Sequence, residues 1–185
     1  MKISVRVLDA TVAYTGTELR PGWVRECAGL DGDAVAGFVG PCHVPTEHLV
    51  DLDDARAGEF IRAASMAHVI AEHPGCPLPE AVLRQRLLVA ILGEILAGAG
   101  KIATRDGDDL YYDGRKLTVS IAAPSATSSL IHLGINVDPA GAPVPAVGLR
   151  ELGLDAVDVL RELLDRYARE LESAAYATTK VKTVS

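Results

Sequence analysis

Lysine, histidine and asparagine fall at alternating positions of two strand-like segments near the middle of the chain. The first segment, residues 108–122 (DDLYYDGRKLTVSIA), reads as a hairpin. Asp113-Gly114 supplies the two positive-φ positions of a tight turn, between runs of strand formers. Side chains alternate across a strand, so Leu117, Val119 and Ile121 take one face and Lys116, Thr118 and Ser120 the other. Residues 128–137 repeat the pattern, with Ser129, Ile131, Leu133, Ile135 and Val137 opposite His132, Gly134 and Asn136. If the two segments pair, Lys116, Thr118, Ser120, His132 and Asn136 share one surface, and Gly134 leaves a gap there for a ligand. A lysine just past a rigid turn would hold an anion, its charge offsetting that of carboxylate or phosphate oxygens. The same alternation describes the solvated face of a half-buried antiparallel sheet, so both readings stand at this point.

A second cluster lies upstream. Cys42, His43, Glu47, His48, Asp51, Asp53 and Asp54 crowd a short stretch and include zinc-ligand types. Their spacing matches neither CxxC pairs nor HExxH, so a polar loop with a helix cap is expected, and no metal. A loop spanning 41–53 inside a compact domain is often functional, which makes His48 and Asp51 second-choice site residues reaching over the open sheet face. Arg84 and Arg86, two apart on a helix, cannot share a face; one could meet a carboxylate while the other is solvated. His68 and His73, on or just past the first predicted helix, read as ordinary packed or exposed residues, Trp23 as a core or pocket-wall anchor, and Cys27, Cys42 and Cys76 as small hydrophobes.

The elements that must position these groups follow from periodicity. Strands are predicted over 2–8, near 10–14, over 34–39, near 101–105 and 108–112, and over 115–123 and 128–137. A helix is predicted over about 55–72, capped by Asp53 or Asp54 and ended by His73-Pro74-Gly75. Another covers 79–97, with Pro79 in its first turn, Val82, Leu83, Leu87, Ile91 and Ile95 at helical spacing, and Gly98 and Gly100 as stops. Leu149–Gly153 reads as a short helical turn. The last helix, about 155–172, has Asp155 as cap and a stripe of Val157, Leu160, Leu164, Tyr167 and Leu171. A closing strand at 174–183 would carry Lys180 and Lys182 on one face. Helices cluster rather than alternating with strands, which predicts one α+β domain over 1–185, with a mixed, mainly antiparallel sheet and helices packed on one face.

Bulk properties narrow the partners. The chain has 185 residues, enough for one domain with a full core. A net charge of −7 and an aromatic content of 4% argue against nucleic acid, which needs a basic patch and stacking platforms. No segment is apolar and long enough to span a membrane, and the N-terminus lacks a signal-peptide run. Three cysteines at unrelated spacings are no disulfide framework, so reduced thiols and a cytoplasmic location are expected.

DDLYYDGRKLTVSIA and the later LIHLGINV (130–137) resemble, in order and separation, two segments of the biotin–protein and lipoate–protein ligases. The first is Asn-Asp, strand, Gly-Arg-Lys, strand; the second is Gly-Ile-Gly-Ile-Asn-Val. Through EHLVDLDD (47–54), VLRQRLL (82–88), GDDLYYDGRKLTVSIA (107–122) and SLIHLGINV (129–137), nearly the whole chain resembles a prokaryotic family catalogued as domain of unknown function number 366. The resemblance implies a ligase-like α+β fold related to class II synthetases. It implies a substrate-carboxylate and acyl-adenylate contact for Lys116, following Gly114 and Arg115, and the acidic position of the Asn-Asp pair for Asp109. Asp108 stands where the ligases have Asn, and Thr118 and Val119 where they continue with Gly. The ligases' Arg- and Gly-rich loop over the adenylate has no counterpart: residues 29–48 include Gly29, Gly32, Gly37 and Gly40 but no arginine. ATP and Mg are therefore implied by the resemblance but not by that loop.

The expected function is a ligase- or acyltransferase-like enzyme acting on a small carboxylate or acyl compound. Lys116 is the catalytic residue, and Thr118, Ser120, His132, Gly134, Asn136, Asp109 and Arg115 are substrate contacts. A non-catalytic metabolite-binding module on the same scaffold is the alternative, and a metal-dependent hydrolase using the 42–54 loop a weaker one. An open sheet edge in such a fold can pair across a two-fold axis, which admits a homodimer.

Overall fold

Apolar runs form the inner strands, and longer apolar-rich runs form the long helices, in a computed structural model that describes residues 1–184. In chain order the elements are β1 (Ser4–Val7), α1 (Trp23–Ala28), β2 (Ala34–Val44), α2 (Leu52–Ala57), β3 (Ile61–Pro74) and α3 (Leu78–Gly98). Then follow β4 (Thr104–Asp106), β5 (Asp109–Tyr112), β6 (Arg115–Lys116), β7 (Thr118–Pro124), β8 (Ser128–Asp138) and α4 (Ala156–Thr179). A five-stranded sheet has the order β1-β2-β3-β8-β7, and β4-β5-β6 form a small second sheet. Among the paired strands of the described residues, β1 and β2 run parallel and the rest antiparallel. The fold is α+β with a mixed, mainly antiparallel sheet. Among the described residues no helix is long and apolar enough to cross a membrane.

The two faces of the large sheet are covered differently. On one face, Ala67, Val69 and Ala71 of β3 and Ile131, Leu133 and Ile135 of β8 join Leu88, Leu92 and Leu96 of α3 and Leu160, Leu164 and Tyr167 of α4. Asp155 caps α4, accepting from the backbone N–H groups of Val157 and Asp158, as its sequence predicts. On the other face, Met66 and Ile70 pack against Tyr14, Trp23, Phe38 and Cys42, so α1 and the N-terminal loop close only part of it. That incomplete cover leaves a cleft.

Four expectations are overturned. The helix expected at 55–72 is mostly β3: the true helix is α2, which ends at Gly58 (φ 71°), and its cap is Asp51. Residues 61–74 are rich in alanine, a helix former, but a strand buried on both faces has no polar side to alternate with. The closing strand at 174–183 is absent, because α4 continues through the alanine-rich 174–179 to Thr179. The strand near 10–14 reduces to a bridge from Tyr14 to Cys42. Leu83, expected on the buried stripe of α3, is 70% exposed, while Leu88, Leu92 and Leu96 are buried.

The hairpin forms as its turn residues require, with Asp113 and Gly114 at φ 49° and 71°. Its second strand breaks at Leu117, however, so Lys116 belongs to the small sheet and Thr118 opens the large one.

Gly40 sets the other wall. A Cβ there would lie 1.9 Å from the Val12 carbonyl oxygen, so only glycine lets residues 12–14 pass against β2. Gly40→Ala is expected to cost about 3 kcal/mol or more, against about 1 kcal/mol for Asp155→Ala. Urea midpoints of the two variants check this; equal midpoints would show that the close approach is relaxed at little cost.

Candidate functional site

A cleft of about 310 Å³ opens on the face that the long helices leave free. Lys116 and Asp109 stand on one wall, His132 and Asn136 on the floor, and His48, Asp51, Phe60 and Val144 around it. The small sheet builds the lysine's position. Tyr111 pairs with Lys116 across the hairpin, so Asp109, two residues earlier on the same face, is its diagonal neighbour. Lys116 Nζ lies 2.7 Å from Asp109 Oδ2. On the other side, Lys116 donates its backbone N–H to Pro145 and accepts from Val147, which pins the main chain. Burial opposes the Lys116 ammonium, yet the hydrogen bond and charge of Asp109, with Tyr111 and Asp54 behind, lift its pKa above the usual value. Burial also raises the Asp109 carboxyl, with Lys116 pulling the other way.

The floor is a stack of rings. Tyr14 lies over His132, with centroids 3.9 Å apart and planes within 10°. His68 Nδ1 is 3.2 Å from His132 Nε2, and Phe38 stacks on His68. Burial pushes His68 down to about 3 and His132 well below its usual value, so both rings are neutral near pH 7. Gly134 lies between His132 and Asn136 on β8. Rather than a gap, its face is filled by Met66, whose Cε would sit 2.8 Å from a Cβ there.

The register divides the expected site. Val119 pairs with Gly134 and Ile121 with His132, so these two face the cleft. Thr118 pairs with Ile135 and Ser120 with Leu133, which turns their side chains toward the helix layer. Thr118 is fully buried there and accepts the Leu110 N–H. Ser120 touches the cleft wall, but its hydroxyl bonds Asp108 and Gln85. The one-residue break at Leu117 is why the expected alternation from Lys116 to Ser120 fails. Arg115 points away and pairs with Glu151. Asp108 ties β7 to α3 through Gln85, Ser120 and Arg86. Arg84 is also paired, with Glu80 and Asp33, rather than solvated.

His48 and Asp51 both line the cleft, although the loop expected over 41–53 is largely structured. His48 Nδ1 donates to the Thr15 carbonyl, and Asp51 is occupied as the cap of α2. Cys42 and His43 lie in β2, and among the described residues no three His, Cys, Asp or Glu side chains converge to hold a metal. Tyr14, Arg62 and Met66 also line the cleft, and no motif or spacing in the sequence points to them. His68, behind the floor, lies on β3 rather than on the expected helix, and strand alternation through Met66, His68 and Ile70 puts it on the cleft side.

Five acidic residues (Asp51, Asp54, Glu59, Asp108 and Asp109) line the cleft against Lys116 and Arg62. Neighbouring carboxylates leave their mark: burial, then Asp51 and Glu59, raise the Asp54 carboxyl. A nucleoside triphosphate does not fit such a wall, with one of its two cations already paired to Asp109.

A family model described as Domain of unknown function (DUF366) matches residues 3–182. An uncharacterized protein of Methanocaldococcus jannaschii, MJ0805, is 37% identical over 177 residues, covering 92% of this chain and 80% of that protein. A solved protein of unknown function from Pyrococcus horikoshi superposes with a TM-score of 0.93 at 35% identity, covering 99% of this chain and all of that one (100%). At lower identity the fold is shared with biotin and lipoate protein ligases. The biotin protein ligase of Aquifex aeolicus in complex with biotin and ATP gives a TM-score of 0.55 at 16% identity, over 91% of this chain and 70% of that one.

The buried histidines make stability depend on acid. The unfolded chain protonates His68 near its ordinary pKa of 6.5, the fold only near 3, so between those values the unfolded state binds more protons. The contribution is whole above pH 6.5 and is lost as pH falls toward 3, by about 1.4 kcal/mol per pH unit for one such ring. His132 and His73, also lowered chiefly by burial, act in the same direction. Urea midpoints between pH 7 and 4 should therefore fall with pH, and less steeply in His68→Phe; a flat profile would contradict the neutral stack.

Proposed function

This chain belongs to the family described as Domain of unknown function (DUF366), on a biotin/lipoate ligase-like scaffold, and we propose that it is an enzyme of ligase or acyltransferase type acting on a small carboxylate or acyl compound. The observation that carries this reading is the partly buried Lys116, aimed by Asp109 into a cleft that is otherwise mainly neutral at its floor and apolar at Met66, Val119, Val44 and Phe60. In acyl transfer, attack on the acyl carbon moves charge onto the carbonyl oxygen. A preorganised ammonium stabilises that charge at little reorganisation cost, and more so where water is partly excluded. Asp109 positions the ammonium. Asn136 Nδ2 donates to the Lys116 carbonyl at 3.2 Å and holds the main chain from the floor. The apolar walls suit the hydrocarbon part of an acyl compound. The acidic balance of the chain keeps nucleic acid outside this reading, which takes the protein as cytoplasmic with its three thiols reduced. A homodimer across the free edge of β1 or β7 is compatible with it.

A metabolite-binding module is the second reading. The segment at the cleft mouth, residues 49–60, favours it: the segment is acidic, and its one arginine, Arg56, pairs with Asp53. Excluding water from a reactive intermediate is hard without a closing loop.

Turnover of a panel of small acyl thioesters, with ATP–pyrophosphate exchange on the matching acids alongside, separates the two. The enzyme reading expects turnover of at least one compound, reduced about 100-fold in Lys116→Ala. Tight binding without turnover would support the module, and unchanged binding and turnover in Lys116→Ala would remove the lysine's role.

A further inference from the structure

Midway along the floor, between Asn136 and His132 on β8, Gly134 leaves a slot that three other side chains close. A Cβ placed on Gly134 would lie 2.8 Å from Met66 Cε, 3.2 Å from Val119 Cγ2 and 3.3 Å from His132 Cε1. Met66 comes from β3, where it pairs with Asn136, and its side chain leans along the sheet to reach the slot. It lines the cleft while only 1% exposed, with the sheet behind it and the cleft in front. Beyond it the Tyr14 and His132 rings, stacked at 3.9 Å, close the floor. We propose that Met66, seated over Gly134, sets the size of the apolar group that the cleft takes. The ligand held at Lys116 is then a carboxylate or acyl compound whose hydrocarbon chain is of limited length.

The anchor and the methionine are neighbours. Asn136 donates to the Lys116 carbonyl and is the cross-strand partner of Met66, so a chain leaving the ammonium along the floor meets the methionine before the histidine. Val119 and Ile121, which also line this part, are β-branched and stiff. The rings are held by their stack, with Phe38 on His68 behind. Methionine is unbranched and turns about three rotatable bonds, so it is the part of this floor whose position a ligand or a neighbouring atom can change.

Two substitutions act on this one contact with opposite sign. Met66→Ala removes Cγ, Sδ and Cε and frees room for about three chain atoms at the floor. Gly134→Ala does the reverse. Gly134 sits in regular pairing between His68 and Val119, so its backbone suits alanine and only space is at issue. The new methyl displaces the flexible Met66 terminus, and with the sheet behind it the thioether moves into the cleft. A purely structural role for Met66 would lower stability in both variants without opposite changes in the ligand accepted.

The chain's anchored end rests on the reading of Lys116 given above; the size limit does not, and the test separates them. The full chain at pH 7 is titrated calorimetrically with straight-chain carboxylates from propanoate to decanoate, and with the alkan-1-ols of the same lengths. Affinity should rise about fourfold per methylene and then stop rising at one chain length in both series. Met66→Ala should move that length up by about two or three carbons, and Gly134→Ala down by about one. Should Met66→Ala fail to fold, the Gly134→Ala shift alone decides. Carboxylates that bind no better than the alcohols would remove the Lys116 anchor and leave the size limit standing. A limit that stays put in the variants, one that moves the same way in both, or no rise with chain length overturns the proposal.

Discussion

The double-sided burial of β3 is the constraint on which the rest of the molecule depends. Bonded to β2 on one edge and β8 on the other, this strand commits alternate residues to two unlike environments. Ala67, Val69 and Ala71 are small enough for α3 and α4 to approach, while Met66, His68 and Ile70 face the incompletely covered side. A slip of one residue would exchange the two sets, placing histidine under the helices and alanine under the cleft. The register is therefore fixed by burial, and the register places His68 against His132.

From that strand the site is assembled by two interruptions in regular pairing. The bulge at Gly40 admits residues 12–14 and brings Tyr14 over the floor. The break at Leu117 moves Lys116 out of the large sheet and into the small one, where Asp109 can reach it. Each interruption exchanges ladder regularity for the placement of one side chain, a common use of bulges beside functional sites. The outcome is a cleft with one ion pair on its wall and a neutral ring stack beneath, a division set by depth of burial.

A second polar network shows the same physics used for scaffolding. His73, on the far end of β3, is fully buried; its Nδ1 meets Asp33 at 2.9 Å and its Nε2 meets the Tyr167 hydroxyl at 3.1 Å. Arg84 completes it from α3. All the ring's polar atoms are used, so this histidine ties β3 to α4. Satisfied networks rigidify.

Much was legible in the residues alone. Asp113-Gly114 determined the hairpin, because few residues tolerate positive φ in succession; Asp155 and the stripe after it determined α4; and alternation in SLIHLGINV correctly set His132 and Asn136 on one face. Those signals are local, and local geometry suffices to read them. The identity of β3 was not local: its alanines favour helix in isolation, and only sheet partners on both edges make it a strand. The same holds for Thr118, which the break at Leu117 turned away from the cleft, for Ser120, whose hydroxyl is taken up by Asp108 and Gln85, and for Tyr14, which no spacing connects to His132. The turns, the caps and the lysine's place after its turn follow from neighbouring residues alone. Tertiary structure decided which faces meet across the cleft, because the energy that settles this comes from burial between distant segments rather than from neighbours along the chain.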